Sequence, residues 1–255
     1  MSSYRQGLAS AFSRIGEVMG QHAHAGLVLS RYFSGGDEKA KQLLLSDAKK
    51  AVTSARDSYT PVFTRREQGL TPPEFETFKV KTRGRFAVGL GIESPIEVGL
   101  RLHHTYGTPI IPGSALKGVA SHYCSEIWGT DATFKLGGEA HSVLFGTTAK
   151  AGAITFEDAW MLPEDLDKAF ELDVMTPHHS KYYTGADATR EPTDFDMPVP
   201  VPFLSIRGRF HVALGVEPGA ESWGALAKGL IKESLQMSGV GAKTRAGYGR
   251  FVVVT

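Results

Sequence analysis

The chain has 255 residues, of which 42% are hydrophobic and 22% are charged, and its formal net charge is +1. These values are ordinary for a globular protein and leave room for one large domain or two small ones. The single cysteine, Cys124, excludes a disulfide within the chain. No apolar run approaches the ~20 residues that cross a bilayer. We therefore expect a cytoplasmic protein without a membrane segment.

The charges are unevenly distributed along the chain. Residues 156–200 contain eleven acidic and three basic side chains, whereas residues 77–125 contain six basic and two acidic ones and residues 203–255 contain seven and three. A protein can present a basic binding face without having a basic total. On these counts alone, charge scattered over a solvated surface is the simpler interpretation.

The first seventy or so residues are predicted to be helical. Apolar side chains recur at helical spacing between Asp37 and Tyr59, at Leu44, Ala48, Val52 and Ala55. The sequence Thr71-Pro72-Pro73 closes this region. We predict a helical N-terminal extension over residues 1–73, packed on a core domain that spans residues 74–255.

An eleven-residue sequence occurs twice, at residues 83–93 and 207–217, with eight of eleven positions identical. Both copies alternate with period two, which is typical of strands. Phe86 and Phe210 fall on the apolar faces, and the arginines fall on the opposite faces, which Lys79 and Lys81 extend. We predict that the copies form two central, adjacent, antiparallel strands, with Phe86 and Phe210 beneath helices.

Each copy is followed by an amphipathic helical pattern and then by a second strand pattern, at residues 152–160 and 248–254. Strand–helix–strand occurring twice predicts an α+β fold with a ferredoxin-like, RRM-like split βαβ sheet of strand order 4-1-3-2. A long insertion, at about residues 173–202, separates the second and third strands. In this topology three connections would share one rim: strand 1 to helix 1, strand 2 to strand 3, and helix 2 to strand 4.

The first of these connections ends at a helix start with an unusual charge. Ser114 is a plausible N-cap, and Lys117 stands where a capping box would have Glu or Gln. A cation at the positive end of a helix dipole is unfavourable unless an anion binds there. We therefore predict a phosphate contact at Ser114, Lys117 and Gly118. The alternative, that Lys117 points into water, is equally compatible with the sequence.

The connection before the last strand, residues 238–250, is rich in glycine and in cations. It fails the requirements of a P-loop, because Ala242 stands where glycine must precede the lysine and because a helix comes before it. We predict that its backbone approaches a phosphate chain closely. The candidate residues are Gly239, Gly241, Ala242, Lys243, Thr244, Arg245, Tyr248 and Arg250. A glycine-rich turn is the alternative, but it explains one glycine rather than four.

The remaining connection is the long insertion, whose length favours a functional or disordered segment. It contains His178, His179, Tyr182 and Tyr183, which are candidates for stacking on RNA bases. A packed surface flap would account for these aromatic residues equally well.

Three motifs, in this order along the chain, carry a family resemblance. They are Gly89-Leu90-Gly91 through Tyr106-Gly107-Thr108-Pro109 to Lys117-Gly118, then Asp173-Val174-Met175-Thr176-Pro177-His178 with Tyr182-Tyr183, and finally the sequence from Gly239 to Phe251. Together they resemble the RAMP superfamily of CRISPR proteins, and within it the family that forms the sixth subunit of the Cmr (type III-B) effector complex. The resemblance runs from about Phe75 to the C-terminus.

This resemblance implies an RRM-like, non-catalytic RNA-binding subunit of an antiviral ribonucleoprotein. It would cap the backbone filament at the 3′ part of the guide RNA. Its partners would be guide RNA, target RNA, and the backbone RAMP and small helical subunits of the same complex, and no cofactor is implied. The target-cutting aspartate of the family belongs to a neighbouring subunit and is not assigned to this chain. The sequence Arg83-Gly84-Arg85-Phe86 lacks the full aromatic run of an RNA-recognition motif, so base stacking on the open sheet face is not expected.

Nine histidines raise the alternative of an enzyme. The pairs His22 with His24, His103 with His104, and His178 with His179 lack the cysteine or carboxylate cluster that would complete a metal site, so no metal is expected. A metal-independent ribonuclease that processes guide RNA, as in some RAMP relatives, would use His103, His104 or His178 as acid and base. A protein–protein adaptor is the third alternative.

Overall fold

The computed structural model describes residues 7, 10, 23–33, 35, 37–176 and 200–254, and all structural statements concern these residues. Its helices are α1 (Ala25–Leu27, continued by a π-helical turn at Val28–Tyr32), α2 (Glu38–Ser54), α3 (Arg56–Gly69), α4 (Gly113–Ile127), α5 (Glu139–Phe145) and α6 (Glu221–Met237). Its strands are β1 (Phe75–Thr82), β2 (Ile110–Ile111), β3 (Ile154–Phe156), β4 (Ala159–Met161), β5 (Phe170–Met175), β6 (Val201–Ile206), β7 (Arg209–Val216) and β8 (Phe251–Val254). Short 3-10 helices occur at Trp128–Thr130, Ala132–Phe134, Pro163–Lys168 and Thr244–Ala246.

Helices combine with antiparallel sheets, so the α+β expectation is confirmed at that level. The helical patterns predicted before residue 73 and after each repeat copy correspond to α2 with α3, to α4 and to α6. Within the described ranges, no helix combines the length and the apolar character that a membrane span requires. The division into two domains at residue 73 stays a prediction.

The main sheet has the order β2-β4-β7-β1-β8, and β3 also pairs with β7. All its pairings are antiparallel. In the β1–β7 register, Lys79 lies opposite His211 and Lys81 lies opposite Arg209. One face of the sheet is therefore basic, as predicted for the repeat. It is formed by the lysines of β1 together with the second repeat copy, and the first repeat copy does not contribute a strand to it.

The prediction that the first repeat copy forms a central strand is wrong. β1 lies directly upstream of residues 83–93 and pairs with β7 in their place. The first copy contains three glycines, and Gly89 adopts φ +82°, where a Cβ would lie 2.7 Å from Ile92 Cδ1. The chain turns there, because glycine weakens a strand and permits such a backbone conformation. Only Phe86 keeps a strand-like contact, a single bridge to Ile206.

The apolar face of the sheet packs against α6. Lys232 of α6 lies over the ring of Phe78, 5.3 Å from its centroid, and Gly224 lies against the side chain of Val216. Phe86 and Phe210, which were predicted to lie beneath helices, are both fully buried, and their ring centroids are 6.0 Å apart.

The opposite face of the sheet is partly covered by α3. Tyr59 stacks on Trp160 of β4 with ring centroids 5.7 Å apart, and Phe63 lies 6.0 Å from the ring of His211 in β7. Side chains of α2 and α3 therefore belong to the same buried cluster as those of the sheet. α3 therefore covers part of the face on which an RNA-recognition motif would expose aromatic rings.

The strands β5 and β6 form a separate antiparallel hairpin. Its two strands enclose the predicted insertion, of which residues 177–199 lie outside the described part of the chain. The hairpin is joined to the first repeat copy through the two backbone hydrogen bonds between Phe86 and Ile206, at 2.8 and 2.7 Å. The base of the insertion is thereby fixed beside the start of β7.

Candidate nucleic-acid interface

The glycine-rich loop between α6 and β8 is held against the backbone of the first repeat copy. The Gly249 N–H donates to the carbonyl of Arg85 at 2.8 Å, and the Ala242 N–H donates to that of Ala87 at 2.7 Å. A Cβ at Gly249 would lie 2.0 Å from the carbonyl oxygen of Val240. Glycine is therefore required there by close backbone contact within the protein, a structural cause that the sequence did not reveal.

The cations of this loop differ in exposure and in their contacts. Lys243 and Arg245 are exposed, and no carboxylate of a described residue lies within 4.0 Å of either side chain. Thr244 and Tyr248 are half-buried, and Arg250 reaches back to the carbonyl of Gln236 at 3.5 Å. The loop thus presents two exposed cations that have no carboxylate partner among the described residues.

The loop meets the base of the β5–β6 hairpin through one carboxylate. The hydroxyl of Tyr248 donates a hydrogen bond to Asp173, and Arg85 Nη1 lies 2.7 Å from the same side chain. Arg85 also lies 3.3 Å from Glu171, whose other oxygen is 3.4 Å from Arg207. These five side chains join the loop, the first repeat copy and the hairpin into one polar network.

The ionisation of this network follows from its contacts. Burial alone would raise the pKa of Asp173, but hydrogen bonds from Tyr248 and Arg85 outweigh it and lower the pKa. Burial, together with the hydrogen bond to Asp173, raises the pKa of Tyr248 to about 12. At neutral pH the pair is therefore a neutral phenol donating to a carboxylate.

The start of α4 differs from the prediction. Pro112 occupies the N-cap position and the helix begins at Gly113, so Ser114 is not the cap. The Gly113 N–H donates at 2.7 Å to the carboxylate of Asp158 in the β3–β4 turn. A Cβ at Gly113 would lie 2.0 Å from the carbonyl oxygen of Phe156. Tight packing on this turn fixes the helix start, and Asp158 supplies the negative charge that the helix dipole favours.

The predicted meeting of three connections on one rim is only partly observed. The glycine-rich loop and the hairpin base do meet, at the end of β1, where Lys81 lies opposite Arg209. The start of α4 lies beside Phe156, which pairs with Leu214 five residues further along β7. At about 3.4 Å per residue that is roughly 17 Å along the strand. Ser114, Lys117 and Gly118 are all exposed, but they lie apart from the loop.

The cause of this separation is the chain between β1 and α4. Residues 83–112 leave the end of β1, turn at Gly89 and return through β2, at the far edge of the sheet. A topology in which the first repeat copy is itself the first strand lacks this excursion. The arm candidates His178, His179, Tyr182 and Tyr183 lie outside the described residues.

The histidines considered for catalysis have structural contacts. His103 meets the ring of Trp160 edge-on, with centroids 4.6 Å apart, and its Nδ1 lies 3.1 Å from the Thr105 N–H. Burial lowers the pKa of His103. The carbonyl of His104 lies 2.9 Å from Nε2 of His24. Among the described residues, no group of three His, Cys, Asp or Glu side chains is placed to hold a metal ion.

The sequence did not single out the acidic residues that organise this surface. In the sequence, Asp173 stands out only as part of a motif. Glu171 and Asp158 stand out only as members of an acidic segment. The three acids now have arginine or backbone N–H partners. An acidic segment between two basic ones was the available signal, since opposite charges in adjacent segments favour ion pairs between them.

Comparison with known proteins identifies related chains. The model of the RAMP superfamily matches residues 60–252. The chain is 32% identical to the CRISPR system Cmr subunit Cmr6 of Pyrococcus furiosus, over 69% of this chain and 67% of the relative. It is 29% identical to the corresponding subunit of Saccharolobus solfataricus, over 45% and 38% of the two chains. A chain of the cryo-EM structure of the type III-B Cmr-beta complex bound to cognate target RNA shares the fold, with a TM-score of 0.62 and 19% identity over 86% of this chain and 74% of that one.

Proposed function

Because the chain belongs to the RAMP superfamily, we propose that it is a non-catalytic RNA-binding subunit of a type III-B CRISPR (Cmr) ribonucleoprotein. In this proposal it caps the backbone filament at the 3′ part of the guide RNA and contacts guide RNA, target RNA and the other Cmr subunits. The relatives named as Cmr subunits support this assembly. The cytoplasmic location expected from the sequence is part of the same proposal.

One observation carries the RNA-binding role: the glycine-rich loop and the base of the insertion meet at one rim, and among the described residues no carboxylate lies within 4.0 Å of the loop's exposed cations. Lys243 and Arg245 are both exposed, so an external anion can reach them. The backbone beneath them is fixed by the hydrogen bonds from Ala242 and Gly249. An ordered loop loses little conformational entropy on binding, which favours affinity. Phosphates of an RNA chain are the anions that suit such a row of cations.

We further propose that β1, α4, the β3–β4 segment, β7, α6 and β8 form an RRM-like split βαβ unit. In it β1 is the first strand, the repeat's first copy follows it, and the insertion over about residues 173–202 precedes β7. The cover of α3 over Trp160 and His211 supports binding at the rim rather than on the sheet face.

We propose no general acid or general base for RNA cleavage in this chain. The ring of His103 packs between aromatic neighbours, and its Nδ1 faces a backbone N–H. We propose no binding or catalytic role for the side chain of His104. A ribonuclease would need two such groups on either side of a phosphate.

A salt titration of RNA binding tests the RNA-binding role. The variant Lys243→Ala with Arg245→Ala should lower the slope of log Kobs against log salt by about 1.4, because each phosphate contact on a single strand contributes about 0.7. Lys39→Ala with Lys150→Ala is the matched control, since both lysines are exposed and neither belongs to the glycine-rich loop or to the β5–β6 hairpin. An unchanged slope in a folded loop variant would contradict the proposed role of the loop.

A further inference from the structure

A cavity of about 1100 Å³ opens beside the start of β7. It lies next to the rim at which the glycine-rich loop meets the β5–β6 hairpin. Its walls come from α2, β1, the 3-10 helix Pro163–Lys168, β5 and the β6–β7 turn. Three acidic side chains line it, against six cationic ones. The cationic residues are Lys49, Lys79, Lys81, Lys168, Arg207 and Arg209.

The acidic side chains of the cavity are already engaged. Asp165 accepts hydrogen bonds from the backbone N–H of Arg209 at 2.7 Å and from its Nε and Nη2 at 2.9 Å. Asp167 lies 3.3 Å from Arg56, and Glu171 lies between Arg85 and Arg207. These pairs hold the arginines in place and leave little negative charge for the lysines.

Three of the lysines have no such partner. Lys49, Lys81 and Lys168 are exposed, and none has a described carboxylate within 4.0 Å. They come from a helix, a strand and a 3-10 helix that are far apart in sequence, so their convergence is not a local charge run. Like charges gathered in a concave site repel one another and raise the local affinity for an anion.

We infer that this cavity binds a phosphodiester backbone and extends the RNA path that begins at the glycine-rich loop. The inference rests on the proposed function. A line of contacts joins the two places: Arg207 of the cavity shares Glu171 with Arg85, and Arg85 shares Asp173 with Tyr248 of the loop. An RNA strand that leaves Lys243 and Arg245 along this line enters the cavity at Arg207.

The lining points to the RNA backbone rather than to its bases. Phe170 is the only aromatic side chain among the described lining residues, and it is 3% exposed. Stacking on bases requires an exposed ring, so recognition here is through phosphates and independent of sequence. The continuity with the loop favours RNA over an acidic protein segment as the occupant.

The test replaces Lys49, Lys81 and Lys168 together with Gln in the full chain. The probe is oligouridine of about 30 nucleotides, longer than the roughly 4–16 that one single-strand-binding fold covers. We expect the salt slope to fall by about 2, three contacts at about 0.7 each. The Lys→Arg triple variant should restore it, and a mixed-sequence RNA of the same length should give the same change, because phosphate contacts do not read sequence. The matched control is Lys39→Gln, Lys135→Gln and Lys150→Gln, which removes three exposed lysines outside the cavity.

The Lys243→Ala, Arg245→Ala variant distinguishes the cavity inference from the proposed RNA-binding role of the loop. Loss of slope in both the loop and the cavity variants supports the extended path. Loss in the loop variant alone leaves the proposed function standing and overturns the cavity inference. If the folded cavity variant binds RNA with an unchanged slope but no longer joins the other subunits, the occupant is an acidic protein surface, and the inference is wrong. An unchanged slope in both variants contradicts both.

Discussion

The hydroxyl of Tyr248 in the glycine-rich loop donates a hydrogen bond to the carboxylate of Asp173 at the base of the β5–β6 hairpin. Arg85 Nη1 approaches the same carboxylate to 2.7 Å. One side chain therefore fixes the relative orientation of a cation-bearing loop and of the strand that leads into the insertion. Both segments belong to the proposed RNA-binding surface, so this contact positions the binding residues without being required to touch RNA itself.

Replacing Tyr248 with Phe should lower the free energy of unfolding by about 1 kcal/mol. Hydrogen bonds to charged groups contribute about 1.5–3 kcal/mol, and partial exposure of this pair reduces the effect. Urea unfolding of Tyr248→Phe, Asp173→Asn and the double variant measures the coupling between the two residues, which should exceed about 0.5 kcal/mol. Strictly additive effects would show that the two side chains do not interact in solution.

Two glycines of the same loop should differ sharply when each is replaced with Ala. Gly247 and Gly249 have φ of +89° and +70°, so both substitutions carry the left-handed penalty of about 1–2 kcal/mol. A Cβ at Gly247 meets open space, whereas one at Gly249 would lie 2.0 Å from the Val240 carbonyl oxygen. Gly249→Ala should therefore destabilise the chain by several kcal/mol more than Gly247→Ala does. Equal denaturation midpoints would contradict the close approach of the two loop segments.

Local patterns predicted the helices and the second repeat copy well. The apolar stripe at Leu116 and Tyr123 indicated α4, and the alternation after Arg209 indicated β7, because each pattern reports the period of one element packed on one core. The first repeat copy has nearly the same sequence but a different structure. Its strand position is taken by β1, whose alternation is not interrupted by glycine. Identity between two segments does not determine which segment pairs with a given neighbour.

The sequence drew attention to the glycine-rich loop but did not indicate how the loop is arranged. The cations of the glycine-rich loop are exposed as expected, yet the loop glycines serve backbone packing, which depends on a segment about 150 residues away in the chain. Lys117 was grouped with Lys243 by a topology that omitted the excursion over residues 83–112. Contacts between distant segments, such as Arg85 with Asp173, leave no periodic signal in a single sequence.

His211 should make the stability of the chain depend on pH. Burial is the main cause that lowers the pKa of His211 to about 4; Glu67 opposes this shift, and Arg66 and Lys79 add to it. The unfolded chain therefore binds this proton more readily than the folded chain between pH 6.5 and 4. Stability from this residue is fully present above pH 6.5 and decreases as the pH falls through that window, by about 3 kcal/mol at most.

The variant His211→Gln should flatten the stability profile over this window, as measured by urea unfolding at several pH values. Some slope should remain, because burial also lowers the pKa of His103 and His141. His122→Gln is the control, since His122 is exposed on α4, and it should leave the profile unchanged. A profile equally steep in His211→Gln would show that His211 is accessible to protons in the folded chain.

Replacing His103 with Ala should separate stability from chemistry. Its ring lies 4.6 Å from that of Trp160 and 5.0 Å from that of Tyr106, and aromatic pairs of this kind contribute about 0.5–1.5 kcal/mol beyond their buried area. The variant should unfold at a lower urea concentration, while His122→Ala should not. Because no acid or base role is assigned to His103, target cleavage by the assembled complex should be unchanged below the unfolding transition.

The isolated wild-type chain, incubated with repeat RNA and a metal chelator, should leave the RNA intact. Cleavage of repeat RNA by the wild-type chain that is lost in a folded His103→Ala variant would contradict the proposed function and favour the ribonuclease instead.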